Sequence, residues 1–592
     1  MKRFILQKIT LPTDKQASKK NLFFKKYSDK LDFRTYFNIL DIHKWKQHTI
    51  FNNLFLHIET KGSCNIVVSE YFSNSHSQEY KIERLPESKD IEITYHNALF
   101  LGISLTNLSE NFHFLSGYFY TLVEEHAIKS VNLSIAICTF KREQYLLRNL
   151  KAIQNEILEN NNSILHNHLE VFVADNGDSI LTALSNQNIK PNKHIQIHPN
   201  INAGGTAGFT RCIIEILNNS KQTTHILLMD DDVSFESESI ERTASFLSLI
   251  KDDYKKDFIG GAMLKEENPS IQHENGATWS IFPSDQPQLN KKNTDLSDIN
   301  AIMANAEEGF SQYNAWFYCC MPINTILEKG LPLPFFIHYD DIEYGIRCKK
   351  NIIHLNGICV WHPTENKYSP NMQFYDTRNS YVTSILWNHD NKLKIDCLFT
   401  CLKRFLDTMT TYRYLDWSAF YFACKEVFCN SKKMFLRDPV KLHKKINLNN
   451  YKTCSFPYHE CEKQFISDEK GKEIDCYFQK IGLKQILDIL FSLVTLALPT
   501  IKDDLCLMNN TPPFFHPFFR NRKTVYVFNK KQNCYYILKK SIKKSLIQCI
   551  QFIYICIIIF FNYNSSTNNI KNQFNLLSSI DFWNNYLHLS KQ

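Results

Sequence analysis

Short buried strands alternate with helical segments between about residues 130 and 390, and this alternation constrains the fold more than any other feature of the sequence. LSIAICTF (133–140), LEVFVADNG (169–177) and HILLMDDDV (225–233) are apolar runs that each end in polar residues. The segment REQYLLRNLKAIQNEIL, between the first two runs, has apolar residues at helical spacing. Strands that alternate with helices predict an α/β unit with a parallel sheet.

The regions on either side of this unit have different patterns. Residues 1 to about 125 contain short β-branched and aromatic segments, such as NIVVSEYF and FLGISLTNL, and this predicts a β-sandwich. After residue 392, LKIDCLFTCLKRFLDTMTTYRYLDW and WSAFYFACKEVFCNSKKMFL predict amphipathic helices. A chain of 592 residues exceeds what one core usually serves. We therefore expect three domains: a β-sandwich (1–126), an α/β domain (127–392) and a mainly helical domain (393–592).

The charge of the chain is concentrated at its C-terminal end. Net charge is +8, but residues 520–592 contain eleven Lys or Arg and one acidic residue, Asp581. This basic segment is rich in Phe and Tyr, which predicts contact with an anionic membrane surface, and we expect no nucleic-acid partner.

The 18 cysteines form no CxxC pair, which favours reduced thiols in the cytoplasm. The N-terminus, MKRFILQKITLPTDK, lacks a long apolar region, so we expect no signal peptide.

The apolar segment LIQCIQFIYICIIIFF (546–561) has three interpretations. Its 16 residues are fewer than the ~20 that a membrane-spanning helix needs, so a span is the least favoured. A membrane-surface element, assisted by the lysine pairs at 539/540 and 543/544, is the second. A buried helix or strand of the last domain is the favoured interpretation.

The three strand ends of the α/β unit carry the polar groups that suggest chemistry. Ligands of open α/β sheets bind beyond the carboxyl ends of the strands. The first strand is followed by Arg142, the second ends at Asp175, and the third ends in Asp230, Asp231 and Asp232. Adjacent carboxylates repel one another, and a divalent cation removes the conflict. Side chains at i and i+2 of an extended chain share a side, so Asp230 and Asp232 would bind one Mg²⁺ or Mn²⁺ ion. Capping of the next helix is the alternative.

Two further motifs suit an anionic ligand and a proton acceptor. NINAGGTAGFTRC (200–212) places Gly204 and Gly205 before a helical segment, and such a turn suits an anion. PFFIHYDDIEYGIRC (334–348) carries three acidic residues after an apolar run. A carboxylate here would serve as general base, whereas the alternative is an ordinary acidic first turn of a helix. The three acids are Asp340, Asp341 and Glu343.

Two motifs have a structural alternative that is at least as plausible from the residues alone. VWHP (360–363) puts His362 at the end of a short strand, where it is either structural or a third metal ligand. YNAWFYCC (313–320) puts Trp316 in the same region. An aromatic residue at a strand end usually belongs to the core, but in a sugar site it stacks on the ring of the sugar.

The motifs occur in the order TFKR, VADNGD, NAGGTAGF, MDDDV, NAWFYCC, HYDDIEYGIR and VWHP. This order resembles the GT-A (Rossmann-like) fold of glycosyltransferase family 2, and more narrowly the polymerising galactofuranosyltransferases of bacterial cell-wall galactan. The matching motifs cover Thr139 to Pro363. The resemblance implies an N-terminal β-sandwich, a GT-A domain and a C-terminal helical domain. It departs from the family where paired tryptophans are replaced by Trp316-Phe317 and where a tryptophan is replaced by Tyr339.

The resemblance also implies a role for each motif. Asp341 would be the catalytic base, with Asp340 beside it and Glu343 in support. Trp316 and Asp231 would lie near the acceptor or the transferred sugar. The implied metal ligands are Asp230, Asp232 and His362, and the implied nucleotide-binding residues are Thr139, Arg142, Asp175, Gly204 and Gly205.

From this resemblance we expect an inverting, metal-dependent glycosyltransferase. It would transfer galactofuranose from a UDP-sugar to a growing, lipid-linked surface glycan, with Mn²⁺ or Mg²⁺ as cofactor. The expected location is the inner face of the cytoplasmic membrane, as a peripheral protein. Two alternatives are a family 2 transferase with another donor (a glucose, rhamnose or N-acetylhexosamine nucleotide) and, less favoured, a non-catalytic glycan-binding protein.

Overall fold

The computed structural model describes most of the chain, from Met1 to Leu589. The residues outside the description are 13–16, 74–75, 86–87, 187–191, 220–221, 308, 365–368, 449, 456–482, 499, 501–504, 509–518, 530–533 and 590–592.

The described residues of the N-terminal region form two antiparallel sheets packed face to face. One sheet has the strand order β1-β9-β4-β7 and the other the order β2-β3-β8-β5-β6. Alternate residues of facing strands, such as Leu56 and Ile66, are fully buried between the sheets, as expected for a sandwich. The elements are β1 (Lys2–Lys8), α1 (Ala17–Lys20), β2 (Lys25–Lys26), β3 (Lys30–Asp32), α2 (Ile42–His48), β4 (Phe55–Lys61), β5 (Cys64–Ser73), β6 (His76–Leu85), β7 (Ser88–Glu92), β8 (Phe100–Thr106) and β9 (His113–Val123).

The central region contains a mixed sheet. Its strands β12, β11, β10 and β13 are parallel neighbours in that order, as the sequence predicts. The sheet then continues through β20, which pairs antiparallel with β13, so the expectation of a purely parallel sheet is wrong for this half. The strands are β10 (Leu133–Thr139), β11 (Leu169–Asp175), β12 (Ile195–Pro199), β13 (His225–Met229), β14 (Ser234–Phe235), β15 (Phe258–Lys265), β16 (Ile271–Glu274), β17 (Ala277–Thr278), β18 (Gln288–Leu289), β19 (Thr294–Asp295), β20 (Tyr318–Pro322) and β21 (Ile352–His362).

Helices cover the central sheet and join it to the N-terminal sandwich. The guanidinium of Arg242, on the helix that follows β14, is buried and donates to the carbonyls of Phe37 and Asn356. This one side chain therefore connects the sandwich, the helix and the sheet. The helices are α3 (Glu143–Ile153), which continues as a π-helix (Gln154–Leu158), α4 (Ile180–Asn186), α5 (Gly205–Asn219), α6 (Ser237–Leu249), α7 (Ile299–Ala306), α8 (Ile323–Lys329), α9 (Asp340–Cys348) and α10 (Pro370–Trp387).

The described C-terminal region is mainly helical, as predicted, and also contains a small sheet, β22-β25-β24-β23, that was not predicted. The helix expected from residue 393 ends at Thr410, where Tyr412 adopts a positive φ of 58° and the next helix begins at Tyr414. The elements are α11 (Leu393–Thr410), α12 (Tyr414–Phe428), α13 (Pro439–Asn447), β22 (Cys454–Ser455), α14 (Leu483–Ala497), β23 (Leu505–Met508), β24 (Thr524–Asn529), β25 (Cys534–Lys539), α15 (Ile542–Leu577) and α16 (Ile580–Tyr586).

The apolar segment 546–561 lies within α15, a helix of 36 residues. Among the described residues, it is the one helix whose length and composition would suffice to cross a membrane. Only part of it is buried, so the favoured interpretation of a buried element is wrong for its outer face. The predicted class, an α/β region between a β-sandwich and a mainly helical region, is confirmed.

Candidate active site

The carboxyl ends of β10 and β13 open onto a cavity of about 1140 Å³. Residues from all seven motifs of the central region line or adjoin this cavity, although the motifs are spread over more than 220 residues of sequence. Among the sequence-predicted site residues, those that line it are Arg142, Gly204, Gly205, Asp230, Asp231, Asp232, Trp316, Asp340, Asp341 and His362.

Asp230, Asp232 and His362 form a cluster of possible metal ligands. One ligand atom from each residue lies within 4.8 Å of the others. The Nε2 atom of His362 is 3.1 Å from Asp232 Oδ1 and 4.0 Å from Asp230 Oδ2. The cluster forms because β21, which ends at His362, pairs with the short strand β14 that follows the Asp230–Asp232 turn. Two carboxylates and an imidazole are a donor set that suits a divalent cation.

His362 makes a hydrogen bond through Nδ1, and its Nε2 atom faces the carboxylates of Asp230 and Asp232. Its Nδ1 atom lies 2.8 Å from the carbonyl oxygen of Pro363 and donates to it. This arrangement fixes the ring orientation, as second contacts of metal-binding histidines usually do. Burial opposes the charge of the ring, but the hydrogen bond and attraction of Asp232 raise the pKa of His362 to about 9. Burial, together with its two neighbouring aspartates, raises the pKa of Asp230 to about 7.

Asp231 is not one of the three clustered residues and is held instead by two residues that follow or end β10. Its Oδ2 atom accepts a hydrogen bond of 2.7 Å from the Thr139 hydroxyl, and its Oδ1 atom accepts one of 3.1 Å from Arg142. Arg142 also donates to Asp232. This network joins the ends of β10 and β13 and places the guanidinium of Arg142 beside the possible metal ligands. The contact of Asp231 with an acceptor stays a prediction.

The glycine turn before α5 brings the backbone close to the segment that precedes α9. Gly204 has φ of +91°, and a Cβ atom there would overlap the carbonyl group of Phe336. The amide of Asn176 donates a hydrogen bond of 3.0 Å to the Gly204 carbonyl oxygen. Gly205, which begins α5, has no heavy atom within 4 Å of the position of a Cβ. The turn therefore needs glycine at 204 for its geometry and leaves open space over 205.

Asp340 and Asp341 begin α9 and face the cavity with different partners. Asp340 accepts a hydrogen bond of 2.6 Å from the Thr206 hydroxyl of α5. Asp341 accepts one from the backbone N–H of Ile342, at 2.7 Å. Burial and the adjacent charge of Asp340 raise the pKa of Asp341 to about 8. Such a shift matches a carboxylate that takes up a proton near neutral pH.

The backbone that leads into α9 is strained. Phe336, His338 and Tyr339 have φ values of 74°, 61° and 68°, in the left-handed region that bulky residues rarely adopt. The side-chain amide of Asn379 supports this segment by donating to the carbonyls of Ile337 and His338. Strained backbone of this kind concentrates at functional sites.

Three of the predicted residues are not part of the cavity lining. Glu343 is fully buried, paired with Arg347, and accepts a hydrogen bond from Trp387.

Asp175 accepts hydrogen bonds from the backbone N–H groups of Gly177, Ser179 and Ile180, and so shapes the turn into α4. Thr139 is buried and reaches the site through Asp231. These residues hold the elements that carry the cavity residues.

Trp316 lines the cavity but is 94% buried. Its ring makes edge contacts with Phe209 and Tyr344, at centroid distances of 5.4 and 6.1 Å. Its indole therefore has a fixed orientation and presents only a small surface to the cavity. Contact with a sugar stays a prediction.

Four further residues that line the cavity were not predicted from the sequence: His338, Asp376, Thr400 and Arg404. His338 Nδ1 lies 2.6 Å from Asp376 Oδ1 of α10, and this pair raises the pKa of His338 to about 9 although burial opposes it. Thr400 and Arg404 of α11 also line the cavity. His338 is the first residue of the motif HYDDIEYGIR, in which only the acidic residues were predicted to act, whereas Asp376, Thr400 and Arg404 lie outside every predicted motif.

Comparison with known proteins identifies this central region. Residues 131–361 match the family model described as glycosyltransferase like family 2. The chain carries a glycosyltransferase family 2-like domain. The matched residues include Asp230, Asp232 and all three acidic residues of α9, and they end one residue before His362. With the mixed central sheet, the match confirms the predicted GT-A class.

Two galactofuranosyltransferases, both named GlfT2, resemble the chain beyond the family 2 domain. The protein of Mycolicibacterium smegmatis is 25% identical over 366 residues, which cover 56% of this chain and 53% of that protein. The protein of Mycobacterium tuberculosis is 24% identical over 356 residues, which cover 56% of this chain and 54% of that protein. The chain thus spans about half the length of these relatives.

Solved structures with a similar arrangement are more distant. The mannosyltransferase PcManGT of Pyrobaculum calidifontis, in complex with GDP-Man and Mn²⁺, is 10% identical with a TM-score of 0.31, covering 55% of this chain and 86% of that one. Residues 1–349 of S. aureus TarS are 12% identical with a TM-score of 0.30, covering 54% of this chain and 88% of that one.

Proposed function

We propose that the protein is an inverting, metal-dependent glycosyltransferase that moves a sugar, galactofuranose, from a UDP-sugar to a hydroxyl group of a growing, lipid-linked surface glycan. The single observation that carries this proposal is the placement of Asp341 in the same cavity as the Asp230–Asp232–His362 cluster. The likeness to two galactofuranosyltransferases supports the choice of sugar.

In the proposed reaction, Asp341 acts as the base on the acceptor side of the cavity. Asp341 takes the proton of the acceptor hydroxyl, whose oxygen forms a bond to the anomeric carbon from the face opposite the diphosphate. The bond between that carbon and the diphosphate oxygen breaks, and UDP leaves with the electron pair. One displacement inverts the anomeric centre. Asp340, held by Thr206, keeps the end of α9 in place while Asp341 accepts the proton.

The donor side of the cavity is assigned to the strand ends. Asp230, Asp232 and His362 would hold Mn²⁺ or Mg²⁺, which supplies positive charge that stabilises the leaving diphosphate. Arg142 adds a guanidinium beside this site, and the backbone at Gly204 and Gly205 gives the nucleotide close access to the chain. Thr139 and Asp175 support this side through the contacts described above.

The remaining assignments concern the whole chain. We propose domain boundaries at 126 and 392, with the family 2 domain between them. We place Trp316 and Asp231 toward the acceptor or the transferred sugar, and Glu343 in support of Asp341 through α9. We also place the protein at the inner face of the cytoplasmic membrane, as a peripheral protein, because its acceptor is lipid-linked.

Replacement of Asp341 by Asn tests the assignment of the base. The variant should lower the rate of sugar transfer about 10²–10⁴-fold, which is what a general base contributes, and should keep Mn²⁺-dependent UDP binding. The rate is measured as sugar transferred from radiolabelled UDP-galactofuranose, and UDP binding by calorimetry.

Asp178→Asn is the matched control. Asp178 is exposed and has a φ of 50°, a conformation that asparagine tolerates, so this change should leave transfer unchanged. Full turnover by the Asp341→Asn variant would contradict the proposal. A panel of UDP-glucose, rhamnose and N-acetylhexosamine nucleotides separates the galactofuranose donor from its alternatives.

A further inference from the structure

A continuous stripe of large apolar side chains is exposed along the first half of α15. Helical residues spaced by three or four positions share a face, and the stripe follows that spacing from Ile542 to Phe561, a length of about 30 Å. Its members are 45–75% exposed, although side chains of this kind are usually buried. They are Ile542, Leu546, Ile547, Ile550, Ile553, Tyr554, Ile557, Phe560 and Phe561.

The neighbouring helices add to this exposed surface. On α11, Ile395, Phe399 and Leu402 share a face and are 68%, 52% and 40% exposed. α11 packs against α15, and the ammonium group of Lys394 lies 4.4 Å from the centre of the Phe560 ring. α14 also packs against α11 and exposes Phe491 and Val494. We call these exposed apolar residues of α11, α14 and α15 the apolar face; patches of this kind mark interaction sites.

The opposite side of α15 is fixed to the protein by hydrogen bonds. Gln548, which is buried, donates to the Thr408 hydroxyl at 2.7 Å, and Gln551 accepts from the Trp417 indole at 2.9 Å. Further along, Ser566 donates to the carbonyl of Phe428 at 3.2 Å. A helix inserted across a bilayer would lose these bonds without replacement in hydrocarbon. α15 therefore suits a position along a membrane surface, with one face in protein and the other in lipid.

The charge around the apolar face indicates the kind of surface that covers it. α15 contains three lysines and no acidic residue. Lys543 and Lys544 are exposed at its first turn, Lys539 is exposed just before it, and Lys403 is exposed on α11. Lysines beside exposed apolar residues complement the headgroups and acyl chains of anionic lipids. A second protein copy would bring the same positive charges together.

The apolar face adjoins the candidate active site through a single helix. α11 turns Ile395, Phe399 and Leu402 outward, whereas its Thr400 and Arg404 line the cavity. A surface that contacts the outer ridge of α11 is therefore about one helix diameter, roughly 10 Å, from the cavity.

We propose that the apolar face docks on an anionic lipid bilayer and so holds the α11 side of the cavity against the membrane. Docking itself needs only the apolar face and the lysines. Its purpose rests on the proposed function, since a sugar acceptor attached to a lipid would then reach Asp341 from the membrane side.

Vesicle cosedimentation of the full chain tests this docking. Phosphatidylcholine vesicles that contain phosphatidylglycerol should bind the protein, and removal of phosphatidylglycerol should weaken binding. The combined change Ile550→Ser, Ile553→Ser and Ile557→Ser should lower the partition coefficient at least about tenfold, because three apolar side chains no longer enter the bilayer. Lys543→Gln with Lys544→Gln should lower it roughly tenfold or more, for the anionic vesicles only.

The matched control removes equally exposed apolar side chains elsewhere. Leu115, Phe310 and Leu327 are 55%, 74% and 64% exposed and lie outside the apolar face, so changing all three to Ser should leave vesicle binding unchanged. Circular dichroism checks that each variant is folded. Wild-type protein that stays in the supernatant, or a triple isoleucine variant that binds like the wild type, would overturn docking.

Two parallel measurements separate the other outcomes. Light scattering would reveal a dimer that the isoleucine changes dissociate, and this result would assign the apolar face to a second copy and overturn the proposal. Transfer to a water-soluble acceptor should be the same in wild type and the isoleucine variant. Absence of transfer by both, with vesicle binding retained, would refute the proposed function and leave docking standing.

Discussion

Asp340 and Asp341 are neighbours in sequence, but the residues around them give them different tasks. Asp340 is bound by the hydroxyl of Thr206, whereas one oxygen of Asp341 is bound by the backbone of Ile342. Burial comes first among the causes that raise the pKa of Asp341 to about 8, and the charge of Asp340 comes second. The pair thus produces a carboxylate that binds a proton more readily than an ordinary aspartate.

The pH dependence of transfer should follow this pair. Asp341 must be ionised to accept a proton, so kcat/KM should fall as pH decreases through about 8. Asp340→Asn removes a neighbouring negative charge, which lowers the pKa of Asp341 and should move the acidic limb of the profile to lower pH. The profiles of both proteins are measured at one fixed Mn²⁺ concentration. A limb that stays in place, or moves to higher pH, would show that Asp341 does not titrate there.

At the residue level, the sequence predicts those site residues that follow strands. Asp230, Asp232 and His362 come together because strand ends meet at one edge of a sheet, and a strand can be recognised locally. The pairing of His338 with Asp376 could not be predicted in this way. It depends on how α10 packs beside the segment before α9, and no local pattern specifies that packing.

At the level of elements, the contact between the glycine turn and the Phe336 backbone sets the distance between α5 and α9. Thr206 links the two helices as well: its backbone N–H donates to the Phe336 carbonyl oxygen, and its hydroxyl donates to Asp340. The sequence indicates that Gly204 and Gly205 form a turn, but it does not show that only one of them faces a neighbouring backbone.

Gly204→Ala and Gly205→Ala should therefore behave differently. At 204 a methyl group meets the Phe336 carbonyl and φ is +91°, so we expect a loss of stability of at least about 1–3 kcal/mol and reduced transfer. At 205 there is open space, and alanine should leave stability nearly unchanged. Denaturant unfolding of the two variants measures the difference. Equal stability would contradict the close approach described here.

At the level of the whole molecule, the order of the three regions could be predicted because each has its own periodicity. The mixed central sheet could not, since the antiparallel pairing of β20 with β13 joins residues about 90 positions apart and is set by tertiary packing. The surroundings of α15 could not be predicted from the sequence either. Its composition is apolar enough for burial or for a membrane, and only the packing of its neighbours shows which side chains remain exposed.

The central and C-terminal regions together line the cavity between the sheet edge and α11, and the central claim is that sugar transfer occurs there. Incubation of the protein with UDP-galactofuranose and Mn²⁺, with and without a lipid-linked glycan acceptor, tests this claim most directly. We predict UDP release with transfer of the sugar when all components are present, and its loss when a chelator removes the metal or Asp232 is changed to Asn. Transfer that persists without metal, or a protein that transfers no sugar from any nucleotide donor, would contradict the account.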